Sequence, residues 1–320
     1  YLSNLLLHDK GSKSTQLQSS GRYKDTAQKM NDGSTENTGF TKRKTICITS
    51  TTVEMCGPLL LDFMLQNKYL LPNTDFGIKL NRSKPEFQVM IKTGGDVAGK
   101  AIAVKVKIEK AILFVRRVKA LPSLILDIEE KLNFQNVVYP IQRTEMITYT
   151  IAQGSQSHSK ESLFRGFMPK IVFVGFVRND AYNGSYTQNP FNFANFGVNH
   201  LALYREGEPI PFRPFTPDFA KNFYMREYMS LFQSLDIFNK SENFDVSMND
   251  FANGYAIYGF NLTPDLVVAG HAQVSRDGNV RLEVQLSAAA THTLNVIVMG
   301  IFDGRIEITK TRNVLIDWKS

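Results

Sequence analysis

Apolar and polar residues alternate with a period of two along most of this chain. "TICITSTTV" (45–53), "FGIKL" (76–80), "FQVMI" (87–91), "AIAVKVKIEKAILFV" (101–115), "RTEMITYTI" (143–151), "KIVFVGFV" (170–177), "VNHLALY" (198–204), "YAIYGFNL" (255–262), "VRLEVQL" (280–286), "LNVIVMGIF" (294–302) and "RIEI" (305–308) all alternate or form short apolar runs bounded by turn residues. Such segments read as β-strands. Only "PSLILDIEEKL" (122–132) and "DFAKNFYMREYMSLFQSL" (218–235) carry longer helical patterns, the second with Asp218 as its N-cap. Residues 1–7 form a short amphipathic element, and 8–44, rich in Gly, Ser, Thr, Asn and Lys, read as a long exposed loop or a disordered insertion. The class is all-β.

The order of elements recurs. "YLSNLLL" at Tyr1 answers "YMSLFQSL" at Tyr228, "LLLDFML" answers "YAIYGFNLTPDL", "FGIKL" and "FQVMI" answer "VRLEVQL" and "LNVIV", and "VKIEKAILFV" answers "GRIEITKTRNVLI". This predicts two antiparallel eight-stranded β-sandwiches, a double jelly roll. Residues 1–135 are the C-terminal part of the first roll and 136–320 a complete second one. About four strands (140–204) precede the Tyr228 helix, whereas nothing precedes its counterpart, so roughly 80 to 100 upstream residues or more are expected and the first roll is truncated at its N-terminus.

Charge is uneven. Residues 1–130 hold 20 Lys and Arg against 13 Asp and Glu, a surplus of 20 − 13 = 7 that accounts for the whole net charge of +7. These cations are scattered rather than interleaved with aromatics, which fits a solvated basic face and at most non-specific nucleic-acid contact. The two cysteines, Cys47 and Cys56, make neither a disulfide framework nor a zinc motif and point to a reducing compartment. Acceptor patterns for glycosylation at Asn81, Asn183, Asn239 and Asn261 carry no weight without a secretory signal. No apolar run reaches the length of a membrane span, so no membrane partner is expected.

Catalytic motifs fail on their details. "GGDVAGKA" (94–101) matches a phosphate loop as far as Lys100, but Ala101 replaces the magnesium-binding hydroxyl and a strand pattern follows, so it reads as a hairpin turn. His8, His158, His200, His271 and His292 lack metal-ligand spacing, there is no G-x-S-x-G elbow, and Glu206 and Glu208 sit in a turn. No enzyme activity, cofactor or metal is expected.

What remains is a surface. "YNGSYTQNPFNFANFG" (182–197) packs five aromatic rings and four asparagines into an uncharged loop, and "EPIPFRPFTPDF" (208–219) adds four prolines and three phenylalanines. Rigid aromatic loops of this kind supply contact area at small entropic cost. Tyr182, Tyr186, Phe191, Phe193, Phe196, Phe212 and Phe215 are therefore candidates for a subunit interface.

Several of these stretches are similar to a known family. "NDAYNGSYTQNPFNFANFGVNHLALYREGEPIPFRPFTPDF", "YMREYMSLF", "DFANGYAIYGFNLTPDL" and "IEITKTRNVLIDW", with "GRYKDTAQKM" and "GPLLLDFMLQNKYLLPNTDFGIKLNRSK" upstream, resemble the major capsid protein, or hexon, of Polinton (Maverick) transposable elements and the related adintoviruses. The resemblance covers nearly the whole chain. It implies a structural capsid protein whose double jelly roll forms homotrimeric, pseudo-hexagonal capsomers of an icosahedral shell, with a minor capsid (penton) protein as a further partner. It also implies a place in the virion capsid, assembled inside the cell, in the host nucleus. A jelly-roll module that binds a glycan or a protein without assembling is the alternative.

Overall fold

The computed structural model describes residues 1–47, 52–91, 106–164, 166–238, 240, 243–263 and 277–317. It is built mostly of β-sheet with few and short helices. The long strands are β1 (Val137–Ile151), β3 (Ile171–Arg178), β5 (Val198–Arg205), β6 (Glu208–Phe215), β8 (Ile257–Asn261), β9 (Val280–Leu286) and β10 (Leu294–Ile308). Shorter pieces are β2 (Ser157–Lys160), β4 (Phe193–Ala194), β7 (Asn253–Gly254) and β11 (Val314–Ile316). One antiparallel sheet has the order β1-β10-β3-β8, with β11 on β10; a second has the order β2-β9-β5-β6; β4 and β7 form a two-stranded ribbon. Counting the short β2 and leaving aside the β4–β7 ribbon, the chain passes from one sheet to the other at each step from β1 through β2 and β3 to β5, and again from β6 through β8 and β9 to β10, while β5 and β6 form a hairpin within the second sheet.

The core follows from this layering. β3 is buried at seven consecutive positions because it lies between β10 and β8 and is covered on both faces. Leu201, Leu203, Val280, Leu282, Val284 and Phe215 of the second sheet meet Phe260 and Val298 of the first, and the Phe215 and Phe260 rings sit 5.0 Å apart. The outer side of β8 receives the helix α7, Met225–Ser234: a Cβ on Gly259 would lie 2.7 Å from Ser234 Oγ. β6 escapes a strand reading because of Pro209, Pro211 and Pro214; it is an edge strand, where a missing N–H is tolerated.

The other helices are α1 (Leu2–Leu6), α2 (Lys10–Ser14), α3 (Thr38–Ile46), α4 (Pro85–Gln88), α5 (Pro122–Lys131), α6 (Asn179–Asn183) and α8 (Met248–Ala252). Asp9 caps α2, Asn37 caps α3 and Ser247 with Asp250 forms a capping box on α8. The expected 218–235 helix divides: Asp218 caps a 3-10 turn at Phe219–Lys221, and α7 starts afresh after the left-handed Asn222.

Two expectations are corrected. Residues 8–44 are not an exposed loop: Leu17, Met30 and Phe40 are buried, as are the polar Lys13, Asp25 and Asn37. Polar composition hid this because the segment is held by side-chain hydrogen bonds rather than by an apolar stripe. The strands expected at 76–80, 87–91 and 106–115 do not form; among the described residues before Val137 there is no strand. Residues 106–115 are exposed throughout and irregular, since an alternating segment becomes a strand only with a neighbour to pair with. The hairpin at 94–101 and the segment 101–105 lie outside the described residues.

Candidate assembly surface

The aromatic loop after β3 begins in α6, turns at Gly184 and runs to β4. Asn189 organises it. Its Oδ1 accepts from the Phe191 N–H at 2.9 Å, the self-closing turn expected of asparagine. Its side-chain amide donates to Asp25 Oδ2 at 3.0 Å and to the Met30 carbonyl at 3.1 Å, while its backbone N–H donates to Asn31 Oδ1 at 2.8 Å. The other Asp25 oxygen takes the Arg43 guanidinium at 2.5 Å, and the Tyr255 hydroxyl donates to the Asp25 carbonyl at 2.8 Å. Every strong group in this buried cluster has a partner, as its low-dielectric position demands.

The rings follow the same logic. Phe191 stacks on Tyr1 with centroids 4.1 Å apart and meets Phe87 edge-on at 5.9 Å, each such pair adding ~0.5–1.5 kcal/mol beyond its burial. Phe193, on β4, is fully buried and lies over Gly175 of β3, where a Cβ would come within 2.6 Å of its ring. Met30 occupies the equivalent niche on Gly254, whose φ of +121° also calls for glycine. Burial pushes the Tyr255 phenol well above its usual range, with neighbouring Tyr1 and the carboxylates of Asp25 and Asp250 acting the same way.

The seven candidate rings therefore separate. Phe193 and Phe215 are buried in the core, where β4 and β6 turn them toward β3 and β8. Phe191 is committed to Tyr1 and Phe87 within the same chain. Phe196, with φ +44°, is half-buried against the core. Tyr186 is half-buried, its carbonyl accepting from the Ile91 N–H at 2.8 Å, and Tyr182 is exposed with its hydroxyl 3.3 Å from Thr148 Oγ1. Phe212 is 92% exposed.

Further exposed apolar residues were not singled out by the sequence. Phe223, Met225 and Met229 are exposed, the last two four residues apart on one face of α7. Arg226 ties that helix to β6 by donating to the Arg213 carbonyl and, at 2.9 Å, to the Pro214 carbonyl. A second apolar stretch runs from Ile108 to Leu126 and includes Phe114, 84% exposed, with Ile112, Val115 and Val118. Exposed rings and methionines in groups mark association sites more often than isolated ones do.

The groups that could do chemistry are dispersed. Burial raises the Glu227 carboxyl above the usual range, and its Oε1 accepts the Thr216 N–H at 3.1 Å, a structural role at the end of β6. At Asp250 burial works upward, but hydrogen bonds from Lys24 and Ser247 outweigh it and hold the carboxyl low. Among the described residues no group of three His, Cys, Asp or Glu could hold a metal, and no helix is long and apolar enough to cross a membrane. His271 lies outside the described residues.

No family model matches the chain. An uncharacterized protein of Caenorhabditis elegans is 25% identical over 323 residues, spanning 99% of this chain and 74% of that protein. Among solved structures, the mavirus major capsid protein aligns with a TM-score of 0.35 at 14% identity over 57% of this chain and 41% of its own. A chain of the Sputnik virophage gives 0.35 at 14% over 57% and 39%, and one of the PBCV-1 virus capsid 0.37 at 11% over 61% and 55%. The chain thus spans about two fifths of the mavirus and Sputnik chains.

Proposed function

We propose that this chain is a structural subunit of a viral-type capsid, encoded by a Polinton- or adintovirus-like element, and that it forms trimeric capsomers. The observation that carries the reading is the strand order. Two sheets, β1-β10-β3-β8 with β11 at the end of β10 and β2-β9-β5-β6, joined by connections that pass from one to the other except at the β5–β6 hairpin, are the layout of a jelly roll, an architecture used by viral capsids, lectins and cupins. Residues 137–316 would be one complete roll, and the alternating stretches before Val137 would belong to a first roll, which makes the subunit a double jelly roll. A cupin would need clustered metal ligands, and the described residues offer none.

The exposed apolar groups support self-association. Trimeric capsomers need large obligate contacts that resemble a core cut in half. Phe212, Phe223, Met225 and Met229, and the exposed apolar residues of the 108–126 stretch, supply surface of that character. Tyr182, Tyr186 and Phe196 would sit at or just beneath such a contact. A minor capsid protein at the vertices and assembly in the host nucleus belong to the same proposal.

The test is solution mass with negative-stain imaging, on this chain together with whatever sequence its gene encodes on either side. Trimers or shells support the capsid subunit. A folded monomer that captures a glycan or a protein ligand would move the binding-module reading to the front.

A further inference from the structure

A cavity of about 420 Å³ opens between the N-terminal segment and the α8 region, lined among others by Lys10, Lys13, Arg22, Lys24 and Lys42. Its acids are Asp25, Asp245 and Asp250. Each of these is already engaged: Asp25 by Arg43 at 2.5 Å, Asp250 by Lys24 at 2.8 Å, and Asp245 by Lys24 at 3.8 Å and Lys10 at 3.9 Å. Five cations face three anions, one of which is neutralised from outside the cavity.

The surplus is concentrated on two side chains, one buried and one partly buried. Lys13 is only 4% exposed, and its amine donates to the carbonyls of Leu5 and Phe244, both neutral acceptors. Arg22 is partly buried, and its Nε is enclosed with no hydrogen-bond partner. The two cations lie close enough for Arg22 to disfavour the Lys13 charge: burial first and Arg22 second bring the Lys13 amine down to about 7, and burial also lowers Arg22. Like charges sunk side by side, one with an orphaned donor, are costly unless an anion sits between them.

We propose that this cavity is an oxyanion site for a compact tetrahedral anion of the sulfate or phosphate class, held by Arg22 and Lys13 with Lys42 and Lys10 at its rim. Arg22 supplies a planar fork of donors suited to such oxygens, and Lys13 beside it a point charge. The volume leaves room for the anion and some of its water. Binding would tie α1 and α2 more firmly to the loop that carries Phe244.

The phosphate could be a free anion or part of a nucleic-acid backbone, and one experiment separates them. Sulfate keeps a constant charge across neutral pH, so sodium sulfate is titrated calorimetrically into the protein at fixed ionic strength. A saturable one-to-one isotherm is expected, weakened at least ~10-fold by Arg22→Gln and ~3-fold by Lys42→Gln, a substitution at an exposed residue that leaves the fold intact. The proposal is overturned if wild type gives no saturable heat, or if both variants bind as wild type does; should Arg22→Gln fail to fold, the Lys42→Gln arm decides. Repeating the titration with a saturating oligothymidylate assigns the source: displacement of sulfate points to a nucleic-acid phosphate, and undisturbed sulfate binding to a free oxyanion.

Discussion

The side-chain amide of Asn189 donates to the Asp25 carboxylate at 3.0 Å across 164 residues of sequence. This bond fastens the N-terminal segment to the aromatic loop, and its partners on each side are themselves fixed by Arg43, Met30 and Asn31. Hydrogen bonds to a charged group in a buried place contribute ~1.5–3 kcal/mol each. Asn189→Ala is therefore expected to lower stability in urea by ~2–4 kcal/mol, and Asn189→Asp, which sets a second carboxylate beside the first, by more. A change below ~0.5 kcal/mol in either would show that the loop and the N-terminal segment are not coupled.

Gly175 and Phe193 form the second tight contact. A Cβ at residue 175 would fall 2.6 Å from the Phe193 ring, which the short β4 strand prevents from backing away. Gly175→Ala should destabilise by ~1–3 kcal/mol, the usual range for overpacking. Combining it with Phe193→Leu should recover part of that loss. A double-mutant cycle with no coupling would place the strain elsewhere.

Lys13 makes stability depend on pH in a defined direction. Burial, aided by Arg22, lowers its folded pKa to about 7 from an ordinary 10.5, with Asp245 and Asp9 opposing and Lys24 adding to the shift. Between those values the unfolded chain binds a proton that the folded chain has released. Stability should therefore rise with pH from about 7 to about 10.5, by up to ~1.4 kcal/mol per pH unit, relative to a Lys13→Met variant that lacks the group. A wild-type curve that runs parallel to the Lys13→Met curve across that window would contradict it.

Assembly should respond to surface rings and not to core ones. Phe212→Ser, together with Met229→Ser, should leave the thermal midpoint within ~1 °C because both side chains are exposed. The same pair should shift any trimer toward monomer, read by sedimentation. Phe215→Ala should instead cost ~3–5 kcal/mol of fold stability, as expected of a filled core position. If the surface pair leaves the trimer intact, the contact lies on another face.

The strands of the β-sandwich were legible wherever pairing and burial act together. "VRLEVQL" coincides with β9 residue for residue, and "KIVFVGFV" lies within one residue of β3. The two segments 294–302 and 305–308 prove to be one strand, β10, because Gly304 does not interrupt pairing with Ile141. β2, "SHSK", was invisible: it is a polar edge strand with no apolar face to announce it. The site was less legible than the fold. Asn189 was visible as one of four asparagines in an uncharged loop, but its bond to Asp25 depends on two distant segments meeting, which no local pattern encodes. Lys13 and Arg22 looked like solvated charges for the same reason, since composition cannot say which lysine a helix and a loop will bury.

β1 and β10 stay in register through fifteen residue pairs, from Val137–Ile308 to Ile151–Leu294. Tyr139 and Ile141, in or beside the small cluster with Leu71 and Leu132, share odd-numbered positions of β1 with Ile147, Tyr149 and Ile151, which face the large core. Sliding β1 by a single residue would turn all of them outward together. The small cluster is too poor in apolar contacts to choose its own alignment, so it inherits the one dictated by the larger, and the two strands act as a vernier that carries that choice along their length.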